Sequence, residues 1–221
     1  MQVKPDLSRF LNPRAVAIVG ASNDLKRIGG QPIRLLTEFG YEGSVYPVNP
    51  KYEEIKGLKC YPSLAAVPKP CDVALIALAA QHVPGVIEEC GRAGIPYALV
   101  LSAGFSETGE KGQSLQAELL EAVKKSGVRV NGPNCLGMLN LNVGLRNGFG
   151  GTLSQQTLKP GPIAMITQSG GFGFGALAVA AHYGVGMSYA VSTGNEADLT
   201  TLDWLEAVIE LPDVHIAVAF L

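Results

Sequence analysis

The chain has 221 residues, of which 47% are hydrophobic and 16% charged, a composition that can bury a core and excludes a disordered tail. Its formal net charge is -2, and it has no basic stripe that could follow a phosphate backbone, which argues against nucleic acid as the main partner. Glycine accounts for 27 residues, an excess that predicts tight turns or a backbone that approaches a ligand closely.

The N-terminal segment, residues 1–10, contains Lys4, Asp6 and Arg9 and has no apolar core, so a secretory signal is not predicted there. The four cysteines form no Cys-x-x-Cys pair and the three histidines are far apart in sequence, so we predict no metal site. Cysteines used in this way fit a reducing compartment, and we expect a cytoplasmic protein.

Short apolar runs alternate with amphipathic stretches in the first part of the chain. The runs are continuously apolar, which is typical of strands that are covered on both faces, as in a parallel sheet. The predicted strands are residues 15–19, 44–48, 73–78, 97–101 and 128–130, and the predicted helices are residues 31–39, 83–93 and 114–126. This alternation predicts a doubly wound α/β domain, to which we assign residues 1–145.

The alternation breaks in residues 141–162, which hold five glycines and two prolines. We place the domain boundary there and predict a second α/β unit over residues 155–221. Its predicted strands are residues 163–167, 188–192 and 215–221, and its predicted helices are residues 172–183 and 200–210. Three strands make a small sheet, and the last has the composition of a buried strand. We therefore expect further chain or a partner to complete this unit.

One stretch without acidic or basic residues apart from histidine, residues 160–195, is long enough to span a bilayer. It contains Gln168, Ser169 and many glycines, and its longest predicted helix, residues 172–183, is far too short to cross. We therefore predict buried soluble structure and no membrane partner.

The first candidate binding motif follows the first strand and begins with Val19-Gly20-Ala21-Ser22. A Gly-rich turn from a strand to a helix presents free backbone N–H groups at the helix N-terminus, where a phosphate is favoured. The loop, which continues to Gly30, lacks the strict G-x-G-x-x-G spacing. A simple tight turn is therefore the alternative.

The second strand is followed by Asn49-Pro50-Lys51, where an NAD site would place a carboxylate to bind the ribose. A lysine in this place is suited to binding a phosphate. We therefore predict a ligand with an extra phosphate near its ribose, as in coenzyme A and NADP. The alternative is a solvated surface lysine.

Two further motifs follow later strands of the first domain. Ser102-Ala103-Gly104 follows the fourth strand, and its small residues would let an adenine or a pantetheine arm pass over the backbone, or would simply form a loop. Asn134 and Cys135 lie in a segment whose composition indicates a turn, and a buried, inert thiol is favoured over a reactive one.

The second unit carries a motif of the same kind, Ser169-Gly170-Gly171, after its first strand. The N-terminus of the following helix is a second candidate anion site, with a simple helix cap as the alternative. After the next strand, Asp198 is predicted to cap the helix over residues 200–210 or to contact a ligand.

Six motifs now stand in one order along the chain. They are Val-Gly-Ala-Ser (19–22), Tyr-Pro-Val-Asn-Pro-Lys-Tyr (46–52), Ser-Ala-Gly-Phe (102–105), Gly-Pro-Asn-Cys-Leu-Gly (132–137), Thr-Gln-Ser-Gly-Gly (167–171) and Ser-Thr-Gly-Asn-Glu-Ala-Asp (192–198). In this the chain resembles the NDP-forming acyl-CoA synthetase family, which includes ADP-forming acetyl-CoA synthetases and is related to the α subunit of succinyl-CoA synthetase. The resemblance covers residues 12–221. It implies an α/β protein with a Rossmann-like CoA-binding domain followed by a partial flavodoxin-like, succinyl-CoA synthetase-like domain.

The resemblance also implies which residues bind. Those implied to line the coenzyme A site are Gly20, Ala21, Ser22, Lys26, Val48, Asn49, Pro50, Lys51, Leu78, Ala79, Ser102, Ala103, Gly104, Asn134 and Cys135. Those implied to form a cradle for a phosphorylated histidine are Ser169, Gly170 and Gly171.

The implied reaction converts a carboxylate, coenzyme A and an NTP into an acyl-CoA, an NDP and phosphate, through an acyl phosphate and a phosphohistidine. His82, His182 and His215 do not match the motif of the family's catalytic histidine, so no catalytic residue is assigned. The ATP-grasp part, which would bind ATP or ADP with magnesium, has no counterpart here. We expect this chain alone to bind coenzyme A without turnover. We also expect a small carboxylate as substrate, an ATP-grasp domain or subunit as partner, and a homo- or hetero-oligomer.

Two other functions are compatible with the motifs. One is a synthetase-like regulatory domain of a protein lysine acyltransferase, a family that shares them. The other is an NAD(P)-dependent oxidoreductase, because the first loop is Rossmann-like.

Overall fold

A five-stranded parallel sheet organises the N-terminal part of the protein, whose computed structural model describes residues 5–221. The strands of this part are β1 (Ala15–Val19), β2 (Ser44–Val48), β3 (Glu54–Ile55), β4 (Leu58–Lys59), β5 (Val73–Ile76), β6 (Tyr97–Val100) and β7 (Arg129–Asn131). The sheet has the order β2-β1-β5-β6-β7, and β3 and β4 form a short antiparallel pair outside it. The five predicted strands are therefore confirmed to within two residues at each end. Residues 1–4, the start of the segment predicted not to be a signal, lie outside the described residues.

The helices of this part are α1 (Ser8–Leu11), α2 (Gln31–Glu38), α3 (Val83–Ala93) and α4 (Glu110–Ser126). The predictions for α2 and α3 are confirmed, but α4 begins four residues before its predicted start at Ser114. The reason is Gly112, which looks like a helix breaker. It packs so closely that a Cβ there would lie 1.8 Å from the carbonyl oxygen of Phe105.

A second sheet, of mixed direction, occupies the C-terminal part. Its elements are β8 (Gly137–Asn140), β9 (Leu145–Gly148), β10 (Ile163–Thr167), α5 (Gly170–His182), β11 (Tyr189–Ser192), α6 (Thr201–Val208) and β12 (Ile216–Phe220). The strand order is β12-β10-β11-β8-β9. Strands β10, β11 and β12 are parallel, whereas β8 is antiparallel to both β11 and β9. The predicted three-stranded sheet is wrong, because β8 and β9 add two strands.

The two added strands lie where the sequence indicated a turn and a linker. The glycines at Gly137 and Gly148 caused the error, since glycine is depleted in strands. They are required because the hairpin backbones approach closely: a Cβ on Gly137 would lie 2.4 Å from the carbonyl oxygen of Asn147. The division between the two sheets falls between β7 and β8. The domain bounds at residues 145 and 155 stay a prediction.

The two sheets share one core. The ring of Phe10 stacks on Tyr97 of the first sheet with centroids 5.0 Å apart, and it packs at 5.2 Å against Trp204 of α6. The indole Nε1 of Trp204 donates to Asn131 at the end of β7, and the Asn131 amide donates to the carbonyl of Ser192 at the end of β11. These contacts fix the ends of β7 and β11 side by side.

Asp198 does not cap α6, which was one of its two predicted roles. The cap is Thr200, whose side chain accepts from the amide of Asp203 in a reciprocal capping box. The Asp198 carboxylate instead accepts from Arg129 and from the amide of Val130, both on β7.

The helices found in residues 5–221 are all too short or too polar to cross a lipid bilayer.

Candidate functional site

The loop between β1 and α2 folds back tightly on the strand ends. Gly20, at φ +85°, lies where a Cβ would be 2.5 Å from the carbonyl oxygen of Ala77. Gly29 lies where a Cβ would be 2.1 Å from the carbonyl oxygen of Gly20. The amides of Gly20 and Ala21 donate to the carbonyl of Val48. The glycines are therefore needed to hold this loop against the ends of β1, β2 and β5.

Next to this loop is a cavity of about 600 Å³, which we call the cationic cleft. Its lining residues are Gly20, Ala21, Ser22, Lys26, Arg27, Ile28, Gly29, Asn49, Lys51, Tyr52 and Ala77. Among the lining residues that the structure describes, three are cationic (Lys26, Arg27 and Lys51) and none is acidic. The cleft is therefore suited to an anion with more than one charge.

The side chains of the cleft, rather than a helix N-terminus, supply this charge. The amides of Gly30 and Gln31, where α2 begins, both donate to the carbonyl of Arg27 and do not line the cleft. Asn49 closes the cleft on the other side: its amide donates to the carbonyl of Ala21 at 2.8 Å, and its Oδ1 accepts from the amide of Lys51 at 3.0 Å. Asn49 therefore holds Lys51 beside the first loop.

A second, smaller cavity of about 270 Å³ adjoins the cleft and is here called the apolar cavity. It is lined by Ile28, Ala77, Leu78, Leu101, Ser102, Ala103, Asn134, Cys135, Leu136 and Phe149. Ile28 and Ala77 line both spaces, so the two are neighbours. All of its described lining residues are uncharged, so the apolar cavity is suited to a neutral chain.

Cys135 lines the apolar cavity and is nearly fully buried. Burial raises the pKa of its thiol to about 12, against weaker lowering by hydrogen bonds that include one from Asn131. The thiol donates to the carbonyl of Val100 at 3.4 Å. The raised pKa keeps the Cys135 thiol protonated at neutral pH, which supports the inert thiol favoured from the sequence.

The turn before α5 adjoins the same region. Ser169 is the N-cap of α5 and accepts from the amide of Phe172 at 3.4 Å. A Cβ on Gly170 would lie 2.6 Å from Cγ of Leu136 and 2.8 Å from Oγ of Ser192. The N-terminus of α5 therefore packs directly on Leu136, which also lines the apolar cavity.

The two cavities bring together most of the residues predicted for the coenzyme A site. Six line the cationic cleft and five line the apolar cavity. The other four line neither: Val48 is buried and contributes its carbonyl, Pro50 and Ala79 are exposed, and Gly104 is half-buried in the loop after β6.

Sequence reasoning missed several lining residues. Arg27 lies in the first loop and Tyr52 ends the motif at residues 46–52, but neither was assigned to the site. Each directly follows an assigned lysine, Lys26 or Lys51, and that position is the signal that could have found them. Phe149 directly follows β9, a strand that was not predicted, and no local pattern indicates that it faces the cavity.

Within residues 5–221, no group of three or more His, Cys, Asp or Glu side chains is arranged to hold a metal ion.

Comparison with known sequence families gives two matches. Residues 14–140 match the CoA binding domain family, and residues 160–221 match the family described as succinyl-CoA ligase like flavodoxin domain.

Relatives of known name agree with these matches. The chain is 42% identical over 200 residues to acetate–CoA ligase (ADP-forming) I of Archaeoglobus fulgidus, covering 90% of this chain and 28% of that protein. It is 39% identical over 204 residues to the α subunit of acetate–CoA ligase (ADP-forming) I of Pyrococcus furiosus, covering 90% of this chain and 43% of the subunit. The chain therefore spans less than half the length of these relatives.

A solved structure is also similar. Acetyl-coenzyme A synthetase 1 of Ca. Korarchaeum cryptofilum, described as dinucleotide forming and in complex with phosphate and ADP, superposes with a TM-score of 0.91 at 40% identity. The match covers 98% of this chain and 45% of that one. The resemblance found in the sequence and the predicted fold class are confirmed. The chain belongs to the CoA-binding domain family, and its C-terminal part belongs to the flavodoxin-like domain family of succinyl-CoA ligases.

Proposed function

We propose that this chain binds coenzyme A, and that it is the CoA-binding part of an NDP-forming acyl-CoA synthetase, an acid–thiol ligase. The observation that carries the proposal is the juxtaposition of the cationic cleft and the apolar cavity, which share Ile28 and Ala77. The site thus has a cationic part beside an uncharged part. Coenzyme A is divided in the same way, with phosphates at its nucleotide end and an uncharged pantetheine arm.

The nucleotide end is proposed to occupy the cationic cleft. Lys26 and Arg27 would bind the pyrophosphate, since both lie on the loop that Gly20 and Gly29 hold against the strand ends. Lys51, which Asn49 holds in place at the end of β2, would bind the 3′-phosphate of the ribose. A dinucleotide that lacks this phosphate would leave Lys51 without an anionic partner.

The pantetheine arm is proposed to run from Ala77 into the apolar cavity, past Ser102 and Ala103. Ser102 donates its hydroxyl to the carbonyl of Leu78 at 2.6 Å, which fixes the two loops that flank the arm. The thiol would then lie near Asn134 and Leu136. The chain's own contribution is to bind the arm, exclude water around it and direct its thiol toward α5.

The phosphoryl cradle is proposed at Ser169, Gly170 and Gly171, across Leu136 from the thiol end. The backbone N–H groups at the N-terminus of a 13-residue helix favour an anion there. An acyl phosphate held at this turn would be close to the attacking thiol. The phosphorylated histidine is not assigned to His82, His182 or His215; His182, for example, lies at the opposite end of α5.

The partners proposed are a small carboxylate and an ATP-grasp domain or subunit that supplies ATP, or ADP in reverse, together with magnesium. An exposed apolar patch supports a partner surface on the second sheet: Phe172 and Phe220 stack with centroids 4.1 Å apart, and both are exposed beside Val218. The named relatives are ligases or ligase subunits, and they give no support to the acyltransferase alternative. We propose a cytoplasmic location.

Isothermal titration with coenzyme A and, separately, with NADPH tests the ligand. Both carry an extra phosphate on a ribose, but only coenzyme A has an uncharged arm that fits the apolar cavity. We expect binding of coenzyme A and none of NADPH at the same concentration. Binding of NADPH that excludes coenzyme A would contradict the proposal and favour an oxidoreductase.

A further inference from the structure

The loop after β11, residues 193–199, forms a backbone seam with the chain that follows β7. The amide of Leu199 donates to the carbonyl of Val130 at 3.0 Å. The amide of Ala197 donates to Gly132 at 3.0 Å, and that of Asn195 to Pro133 at 2.9 Å. The loop therefore follows the segment that ends in Asn134 and Cys135, beside the apolar cavity.

The side chain of Asn195 joins this seam to the loop after β6. Its amide nitrogen donates to Oε2 of Glu107 and lies 3.3 Å from both Ser106 Oγ and Gln116 Oε1. Its Oδ1 accepts a hydrogen bond from the side-chain Nδ2 of Asn134 at 3.2 Å. One side chain thus holds two loops that contribute lining residues to the apolar cavity.

Glu107 carries this connection to the backbone of the β6 loop. Its Oε1 accepts from the amides of Gly104, at 2.5 Å, and Phe105, at 3.1 Å. Gly104 has a φ of +110°, a conformation that is open to glycine and that the Glu107 carboxylate helps to fix. Burial acts to raise the pKa of Glu107, but hydrogen bonds from Gly104 and Asn195 outweigh it and lower the pKa. Glu107 is therefore a carboxylate at neutral pH and accepts at both oxygens.

The same loop is also bonded to the turn before α5. The amide of Thr193 donates to the carbonyl of Thr167 at 2.9 Å, and the amide of Gly194 donates to Gln168 at 3.2 Å. The side chain of Gln168 in turn donates to the carbonyl of Gly194 at 3.0 Å. Asn195 is the next residue, so one loop is bonded both to the turn of the proposed phosphoryl cradle and to the segment of the proposed thiol end.

We infer that Glu107 and Asn195 are positioning residues for the pantetheine arm. This inference rests on the proposed coenzyme A function. Together they hold the Ser102–Gly104 loop and Asn134 in the geometry that receives the arm, and they keep both loops in register with the turn at Ser169. Neither side chain lines either cavity, so both act through the loops that they fix.

A polarity exchange between the two side chains tests this inference. In N195D two carboxylates face each other, and in E107Q one acceptor oxygen is replaced by a donor. In the double variant E107Q/N195D, a glutamine amide can again donate to a carboxylate, and the carboxylate introduced at position 195 can still accept from Asn134. E118Q is the matched control, since Glu118 is an exposed carboxylate on α4.

The ligands are coenzyme A and adenosine 3′,5′-bisphosphate, which keeps the nucleotide end but has no arm. We expect coenzyme A to bind about tenfold more weakly to N195D and about fivefold more weakly to E107Q, because hydrogen bonds to a charged group are lost. The double variant should recover to within about threefold of the wild type, by restoring the hydrogen bond. The bisphosphate should bind all variants equally, and E118Q should match the wild type for both ligands.

Three results would overturn the inference alone, given a wild-type chain that binds coenzyme A. They are unchanged affinity in N195D and E107Q, an equal loss for the bisphosphate, and a double variant no better than N195D. A folded wild-type chain that does not bind coenzyme A would instead refute the proposed function, and this inference with it. E107Q leaves Asn195 intact, so it provides the test if far-UV circular dichroism shows that N195D is unfolded.

Discussion

Arg129 on β7 forms a bidentate ion pair with Asp198 in the loop after β11, with Nε 2.9 Å from Oδ2 and Nη2 3.1 Å from Oδ1. The same carboxylate accepts from the amide of Val130 at 2.8 Å. One side chain from the loop after β11 thus binds both the side chain and the backbone of the first sheet's last strand. This pair anchors the seam along which the two sheets meet.

Removing this carboxylate should destabilise the whole chain. Asp198→Ala leaves the half-buried guanidinium of Arg129 and the Val130 amide without their acceptor, and we expect a loss of about 2 kcal/mol in the free energy of unfolding. Urea denaturation measures it. The control is Glu121→Ala, which removes an ion pair with Lys124 on the exposed face of α4 and should leave the midpoint unchanged. Equal effects of the two substitutions would contradict the account.

A second carboxylate predicts how stability depends on pH. Asp72 is buried and directly precedes β5. Burial acts to raise its pKa, but hydrogen bonds from the guanidinium and the amide of Arg14 outweigh that effect and lower the pKa below its ordinary value of 3.8. The unfolded chain therefore binds a proton at a higher pH than the folded chain does. The stabilisation by Asp72 is complete above about pH 4 and is lost as the pH falls through the lowered pKa.

Asp72→Asn should accordingly lower the urea midpoint at pH 7. Between about pH 4.5 and pH 3, the midpoint of the variant should fall less with decreasing pH than that of the wild type. Urea titrations at a series of pH values test this against the wild type. A variant whose midpoint falls with pH as steeply as that of the wild type would show that Asp72 is not the group responsible.

We expect Gly29→Ala to weaken the binding of coenzyme A and Gly85→Ala to stabilise the chain. Gly29→Ala places a Cβ about 2.1 Å from the carbonyl oxygen of Gly20, so the first loop must move and coenzyme A affinity should fall by at least about tenfold. Gly85→Ala, on the exposed side of α3, meets no atom within 4 Å and should raise stability by about 0.5 kcal/mol. Thermal melts and coenzyme A titrations check both. Undiminished affinity in Gly29→Ala would refute the tight loop.

The cysteines should be unreactive while the chain is folded. Cys60, Cys71, Cys90 and Cys135 are all buried and free, and burial raises the thiol pKa of Cys71 to about 11 and that of Cys135 to about 12. Ellman's reagent at pH 8 should therefore label the native chain only over hours, and all four thiols at once in denaturant. Rapid labelling of any of the four thiols in the native chain would contradict their burial.

The parallel strands could be predicted because strands that are covered on both faces appear in the sequence as short, continuously apolar runs. All five residues of β1 are buried, and all five are apolar. The β8–β9 hairpin could not be predicted, since Gly137 and Gly148 are required by a close approach between strands rather than by a turn. Local reading of Asp198 failed for the same reason: its partner, Arg129, is 69 residues away in the chain. The sequence motifs located the ends of the strands, but only the structure shows that Phe149 joins Cys135 in one cavity.

The most direct test of the central claim compares coenzyme A with dephospho-coenzyme A by isothermal titration of the folded 221-residue chain. We expect coenzyme A to bind about tenfold more tightly, through a charge-assisted contact between its 3′-phosphate and Lys51. Lys51→Ala should abolish the difference, whereas Lys111→Ala, which removes an exposed lysine on α4, should preserve it. Equal binding of the two ligands by the wild type, or no binding of coenzyme A, would contradict the account.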